Sequence, residues 1–144
     1  EINEIKNKKH NFKIRKMEKL KEKLDIILSN FGEQLQREYQ KLEVYELGIA
    51  LNKFWYFKQE FIMKGESKYK LSEVVEELID EIADVCVFNM QLTNYDLCES
   101  LEIICERYDI KEFCLEHKKL IKESVFFKVD RTLERIKEGY YEKV

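Results

Sequence analysis

The sequence predicts an all-α protein, a bundle of about four to six helices, and three observations carry that expectation. Proline is absent and glycine occurs only 4 times in 144 residues, whereas strands joined by tight turns draw on both. Apolar residues recur at i, i+3, i+4 and i+7 along most of the chain, the period of an amphipathic helix. Charged residues make up 38% and hydrophobic ones 44%, which suits helices with one dry face and is too apolar for a disordered chain. The length fits a single domain spanning residues 1–144 and large enough to bury a core.

The elements follow in order. A first helix is expected from about Phe12 to Leu28, with Met17, Leu20, Leu24, Ile27 and Leu28 on one face and Gly32 as a left-handed cap. Residues 1–30 together form this N-terminal helix and a basic arm. A second helix is expected from about Glu33 to Met63, with an apolar row of Leu35, Tyr39, Leu42, Ile49 and Ala50 flanked by Leu47, Leu51 and Phe54. Lys64-Gly65-Glu66-Ser67 breaks it. Ser72 reads as the N-cap of a third helix, with Glu73 and Glu76 at its positive end. That helix reaches about Leu92 and carries Val74, Val75, Leu78, Ile79, Ile82, Val85, Cys86 and Leu92 on one arc. After a break at Thr93-Asn94-Tyr95-Asp96, a shorter helix spans Leu97–Arg107. A last helix, or pair of helices, covers Lys111–Lys137 and is closed by Gly139.

Composition excludes several function classes. The net charge is −3, from 26 basic and 29 acidic side chains, so duplex nucleic acid is not the expected partner. The basic stretch Lys6–Lys23 reads as a solvated helix face or arm. No apolar run approaches membrane-spanning length, and the N-terminal residues lack the order of a signal peptide. None of Cys86, Cys98, Cys105 and Cys114 forms a CxxC pair, and His10 and His117 do not complete a zinc motif. Buried, reduced thiols in a cytoplasmic protein are the expectation.

The informative residues are acids beside apolar arcs. With about 3.6 residues per turn, Glu43 and Glu46 point the same way. On the third helix Glu77, Glu81 and Asp84 form an acidic row that borders the apolar arc, and Asp80 lies further toward water. A carboxylate turned to a core is costly unless paired or holding a metal. Each ExxE or ExxD alone is weak, and a solvated face explains most of them. Two such pairs on neighbouring helices can gather four oxygen ligands, which suits a hard cation. Asn89, near the middle of the apolar arc, is either a satisfied core amide or a ligand contact.

These stretches carry a family resemblance. Gly32-Glu33-Gln34-Leu35-Gln36, followed by Lys41-Leu42-Glu43-Val44-Tyr45-Glu46-Leu47, resembles the first helix motif of MazG-like nucleotide pyrophosphohydrolases. Asp80-Glu81-Ile82-Ala83-Asp84-Val85 resembles their second motif, and Asn89-Met90-Gln91-Leu92 continues it much as in the small phage members. Lys128-Val129-Asp130-Arg131-Thr132-Leu133-Glu134-Arg135-Ile136 is similar to their basic phosphate-contacting helix. The chain departs from the family in having Leu42 where a doubled glutamate is usual. Its spacer between Glu46 and Glu81 is longer, and Asp96–Lys122 has no counterpart.

The resemblance implies an all-α fold and hydrolysis of a nucleoside triphosphate to monophosphate and pyrophosphate. It implies Mg²⁺ as cofactor, with Mn²⁺ as a substitute, and a homodimer or higher homo-oligomer. Carried over by position, Glu43, Glu46, Glu81 and Asp84 are the metal ligands, and Lys128 and Arg131 contact phosphate. Glu43 or Glu46 is the expected general base. Arg135 and Glu77 are auxiliary candidates, and Trp55, Tyr56 and Phe88 are candidates for holding the base. The rival readings are a non-catalytic helical regulator that binds a partner protein, and an all-α dUTPase. The aromatic patch Phe54–Phe57 is the expected dimer contact.

Overall fold

The computed structural model describes residues 1–142. Among them the regular elements are six α-helices and a terminal 3₁₀ turn, with no strand: α1 (Ile2–Phe31), α2 (Glu33–Lys64), α3 (Leu71–Leu92), α4 (Leu97–Arg107), α5 (Lys111–Glu116), α6 (Lys118–Lys137), and the turn Tyr140–Glu142. The all-α expectation holds. No described helix is long and apolar enough to cross a membrane.

α3 is the axis of the bundle. Its ten buried residues, from Val74 to Gln91, wrap around most of the helix, because α1, α2, α4 and α6 all pack on it. The α2–α3 pairing is the most extensive. It is antiparallel, as the cross-helix bonds Lys53 to Glu77 and Gln40 to Asn89 require. Leu24 and Ile27 of α1, Leu47 of α2, Leu78 and Ile82 of α3, Leu97 and Ile104 of α4, and Ile121, Val125 and Val129 of α6 are all fully buried. Such side chains contribute roughly 1.5–3 kcal/mol each by leaving water.

Several expectations need correction. α1 begins ten residues before Phe12, at Ile2. Residues 1–16 are exposed throughout, so the arm is a helical overhang with no core-facing stripe to reveal it. Gly32 has positive φ (87°) but an extended ψ of 150°. It links two helices instead of forming a left-handed cap, a role that Gly65 fills at the end of α2. The N-cap of α3 is Lys70, not Ser72, and no side chain bonds there. Asp96 is a true cap, accepting the Glu99 N–H at 2.8 Å. His117 divides the last segment into α5 and α6.

The largest correction concerns α2. Of the expected apolar row, Leu35, Tyr39, Leu42 and Ile49 are exposed, and only Ala50 is buried. The stripe that meets α3 instead runs through Gln36, Gln40, Glu43, Leu47, Ala50 and Phe54. α2 is apolar on two sides, and the side that packs is the one whose lower half is aliphatic. Its upper half is polar, which opens a cavity where α1, α2, α3 and α6 meet.

The segment without a family counterpart has a structural role. α4 covers α3, and Phe113 of α5 packs edge-on against Phe54 at 5.2 Å. Cys86, Cys105 and Cys114 are buried free thiols as expected, but Cys98 is exposed on the second position of α4.

Candidate functional site

α2 and α3 place carboxylates on facing stripes. One oxygen from each of Glu43, Glu46 and Glu81 lies within 4.8 Å of the others. Asp80, Glu81 and Asp84 form a second triplet by the same measure, so Glu81 is shared. The Oε2 atoms of Glu43 and Glu81 are buried and have no hydrogen-bond partner. Burial pushes the Glu43 carboxyl up to about 8, and the charges of Asp84, Glu46 and Glu81 add to it. Burial likewise pushes Glu81 up to about 7, reinforced by Asp84, Glu46 and Asp80 and opposed by Lys128. These acids hold their protons because burial and the clustered negative charge both disfavour the ionised form.

Asp84 has a different setting. Its Oδ1 lies 2.9 Å from the Lys128 ammonium, which also reaches Asp80 at 2.7 Å. Burial raises Asp84 despite that partner. Burial pulls Lys128 down, but its bonds to Asp80 and Asp84 outweigh this and the net shift is upward. Lys128 is buried and acts as an internal cation that fixes α6 to α3. Sequence reasoning placed it at a substrate phosphate and set Asp80 aside as a surface acid. The pairing was not visible in the sequence because it depends on the rotation of α6.

The cavity beside the acids has a volume of about 280 Å³. Glu43, Asp84 and Lys128 line one end, and Arg131 and Arg135 follow along α6. Neither arginine makes an ion pair among the described residues. Arg131 lies over the Phe127 ring at 5.5 Å and Arg135 over Tyr140 at 5.1 Å. Phe88 also lines this cavity. Trp55 and Tyr56 do not. They are exposed further along α2, and Trp55 borders a separate cleft with Phe113.

Two candidates are not brought to this site. Asn89 accepts a hydrogen bond from Gln40 at 2.8 Å and lines another cleft with Arg107 and Tyr108. It is a satisfied amide there. Glu77 is held by Lys53 at 3.0 Å, away from the two carboxylate triplets. Gln36 and Gln91, quoted above only as parts of motifs, do line the cavity and are buried. The available signal was spacing: each stands seven residues from an acid on its own helix, Glu43 and Asp84.

Comparison of the chain with protein-family models, curated proteins and solved structures returns no match to any of them.

The residues fit a hard divalent cation better at Glu43, Glu46 and Glu81 than at Asp84. Three clustered oxygens, two of them from residues with an orphaned partner oxygen, are the donor set such an ion prefers. Asp84 already has a cation in Lys128.

Proposed function

We propose that this chain is a divalent-cation-dependent nucleoside triphosphate pyrophosphohydrolase, with Mg²⁺ held by Glu43, Glu46 and Glu81. The observation that carries the reading is the convergence of these three carboxylates, two of them with a buried unpartnered oxygen, beside a cavity that Glu43 lines and whose α6 wall offers two arginines unpaired among the described residues. The motif resemblance supports it from the sequence side.

The bound ion supplies charge neutralisation at phosphate oxygens and acidifies water. The chain's own residues do the rest. With the ion bound, Glu43 or Glu46 would be an ionised carboxylate beside an attacking water and is the candidate to accept its proton. Lys128 orients Asp84 and keeps the far side of the acidic cluster neutral. Arg131 and Arg135, two positions on one face of α6, receive the phosphates that lie beyond the carboxylates and stabilise the charge that develops on leaving pyrophosphate. Without such cations the acids would repel a polyanionic substrate.

A homodimer belongs to the same proposal. Leu35, Tyr39, Leu42, Tyr45 and Ile49 form an exposed apolar face of α2, and a second copy would cover it. The deciding experiment is a panel of canonical and modified nucleoside triphosphates with Mg²⁺ or Mn²⁺, scored for pyrophosphate. Release of pyrophosphate that stops on chelation is expected. Release of orthophosphate, or no turnover of any triphosphate, overturns the reading.

The exposed α2 face is also the observation that favours the second reading, a non-catalytic protein that binds a partner chain. That reading predicts no turnover and no divalent-cation binding at Glu43, Glu46 and Glu81.

A further inference from the structure

The α1 overhang has no role in the chemistry above. Residues 1–16 are exposed, and the first buried residue of the helix is Leu20. At about 1.5 Å per residue, they extend α1 by roughly 20 Å without burying a side chain. Residues 5–17 hold six lysines and arginines and no acid. None of these cations forms an ion pair among the described residues. Lys16 lies over the Phe126 ring at 4.3 Å. The net charge of −3 therefore averages a cationic arm with a more acidic body. It argues against nucleic acid for the chain as a whole but not for the arm, whose field is its own.

The arm also carries a row of amides. Asn3, Asn7 and Asn11 recur every fourth residue and lie within an arc of about 80°. That arc is centred about 130° round the helix from Leu20, Leu24 and Ile27, which face the core, so it looks away from the bundle. None of the three side chains makes a hydrogen bond among the described residues. Asparagine is a poor helix former, because its amide competes with the backbone for hydrogen bonds. Three of them on one exposed face weaken a helix that no burial supports, so stability does not account for them. Cations flank the row on both sides. Lys6 and Lys13 stand about 100–120° round one way, and Lys8 and Arg15 about 80–100° the other.

We propose that the overhang is a reading arm that lies in the major groove of duplex DNA. That groove admits an α-helix. Lys6 and Lys13 reach the phosphates of one wall, and Lys8 and Arg15 those of the other. The Asn row faces the base edges, where a side-chain amide both donates to and accepts from adenine. Its step of about 6 Å along the helix is close to the rise of two base pairs, about 6.8 Å. The proposal goes beyond the pyrophosphohydrolase reading and does not depend on it. A membrane surface fits the arm less well, because Lys9 and Lys16 interrupt the apolar side formed by Ile2, Ile5 and Phe12, and an interfacial helix needs that side unbroken. Duplex RNA fits less well because its major groove is too deep and narrow for side chains to read.

The test is fluorescence anisotropy of the full chain with labelled duplexes of about 20 base pairs, one of A·T pairs only and one of G·C pairs only, across roughly 50–200 mM NaCl. Affinity should fall with salt with a log–log slope of about −3 to −4 for each arm engaged, from four phosphate contacts. The A·T duplex should bind about tenfold or more tightly than the G·C one, and 7-deazaadenine, which lacks the N7 acceptor, should erase that preference. A combined Lys6→Gln, Lys8→Gln, Lys13→Gln and Arg15→Gln variant should lose most of the slope and about tenfold or more in affinity at the lowest salt. Asn7→Ala with Asn11→Ala should keep the slope and lose the preference for A·T. No binding at the lowest salt, equal or tighter binding of duplex RNA or of phosphatidylserine vesicles, or an unchanged slope in the cation variant overturns the proposal. So does an A·T preference that is absent from the wild type, or that survives in the Asn variant or with 7-deazaadenine. None of the substituted residues is buried, so each variant should melt with the wild type. If one fails to fold, the wild-type slope and the ranking of the probes decide.

Discussion

At the scale of single residues, Glu43 and Glu81 set the behaviour of the site. Both carboxyls titrate higher in the folded chain than in the unfolded one, at about 8 and about 7 against an ordinary 4.5. The folded state therefore binds more protons between those limits, and metal-free stability must fall as pH rises from about 5 to 8. A divalent cation held by these carboxylates, as proposed, would bind only the folded, ionised form and should flatten this slope by mass action. Thermal melts across that pH range, with EDTA and with Mg²⁺, check both statements; a metal-free melting point that climbs toward pH 8 would contradict them. Substitutions separate the two kinds of acid. Glu43→Gln should cut pyrophosphate release roughly 10²-fold or more and raise the EDTA melting point at pH 8. Asp84→Asn should lower it, because Lys128 is buried and loses one of two carboxylates. The expected cost is about 2 kcal/mol, or roughly 4–8 °C in a chain of this size. Equal shifts for the two variants would show that the acids share one structural role.

At the scale of helices, α1 and α2 each do two jobs along their length. The first half of α1 buries nothing: residues 1–16 are exposed, Lys16 at its end lies over the Phe126 ring at 4.3 Å, and the first buried residue is Leu20. The second half packs through Leu20, Leu24 and Ile27, and Lys23 reaches Asp130 of α6 at 2.7 Å. Deleting residues 1–12 should therefore move the melting temperature by no more than about 2 °C. A larger drop would mean that the overhang packs on something in solution. α2 is polar where it faces the cavity and aliphatic where it faces the core, on a single stripe. Its other stripe, through Leu35, Tyr39, Leu42 and Ile49, stays in water. The apolar periodicity of α2 was legible in the sequence. Which of its two stripes packs was not, because α3 chooses between them by shape.

At the scale of the whole molecule, the proposed homodimer would be built on that uncovered stripe. Sedimentation at micromolar concentration should give a homodimer, and Leu42→Glu combined with Ile49→Glu should give a folded monomer, since neither side chain contributes to the described core. A monomeric wild type would contradict the proposal. The sequence by itself determined the all-α class, the limits of α2, α3 and α4 to within a residue or two, and the pairing of Glu43 and Glu46 on one face. These follow from local rules: the absence of proline, the helical period, and the i, i+3 spacing. Only the tertiary structure decided the rest. It put Glu81 with Glu43 and Glu46, gave Asp84 to Lys128, set Asn89 against Gln40 outside the cavity, and left Gln36 and Gln91 without partners inside it. The physical reason is that a helical period fixes which residues share a face. The rotation of each helix about its own axis is fixed only when all the faces compete for one core, and a site between helices is made by those rotations.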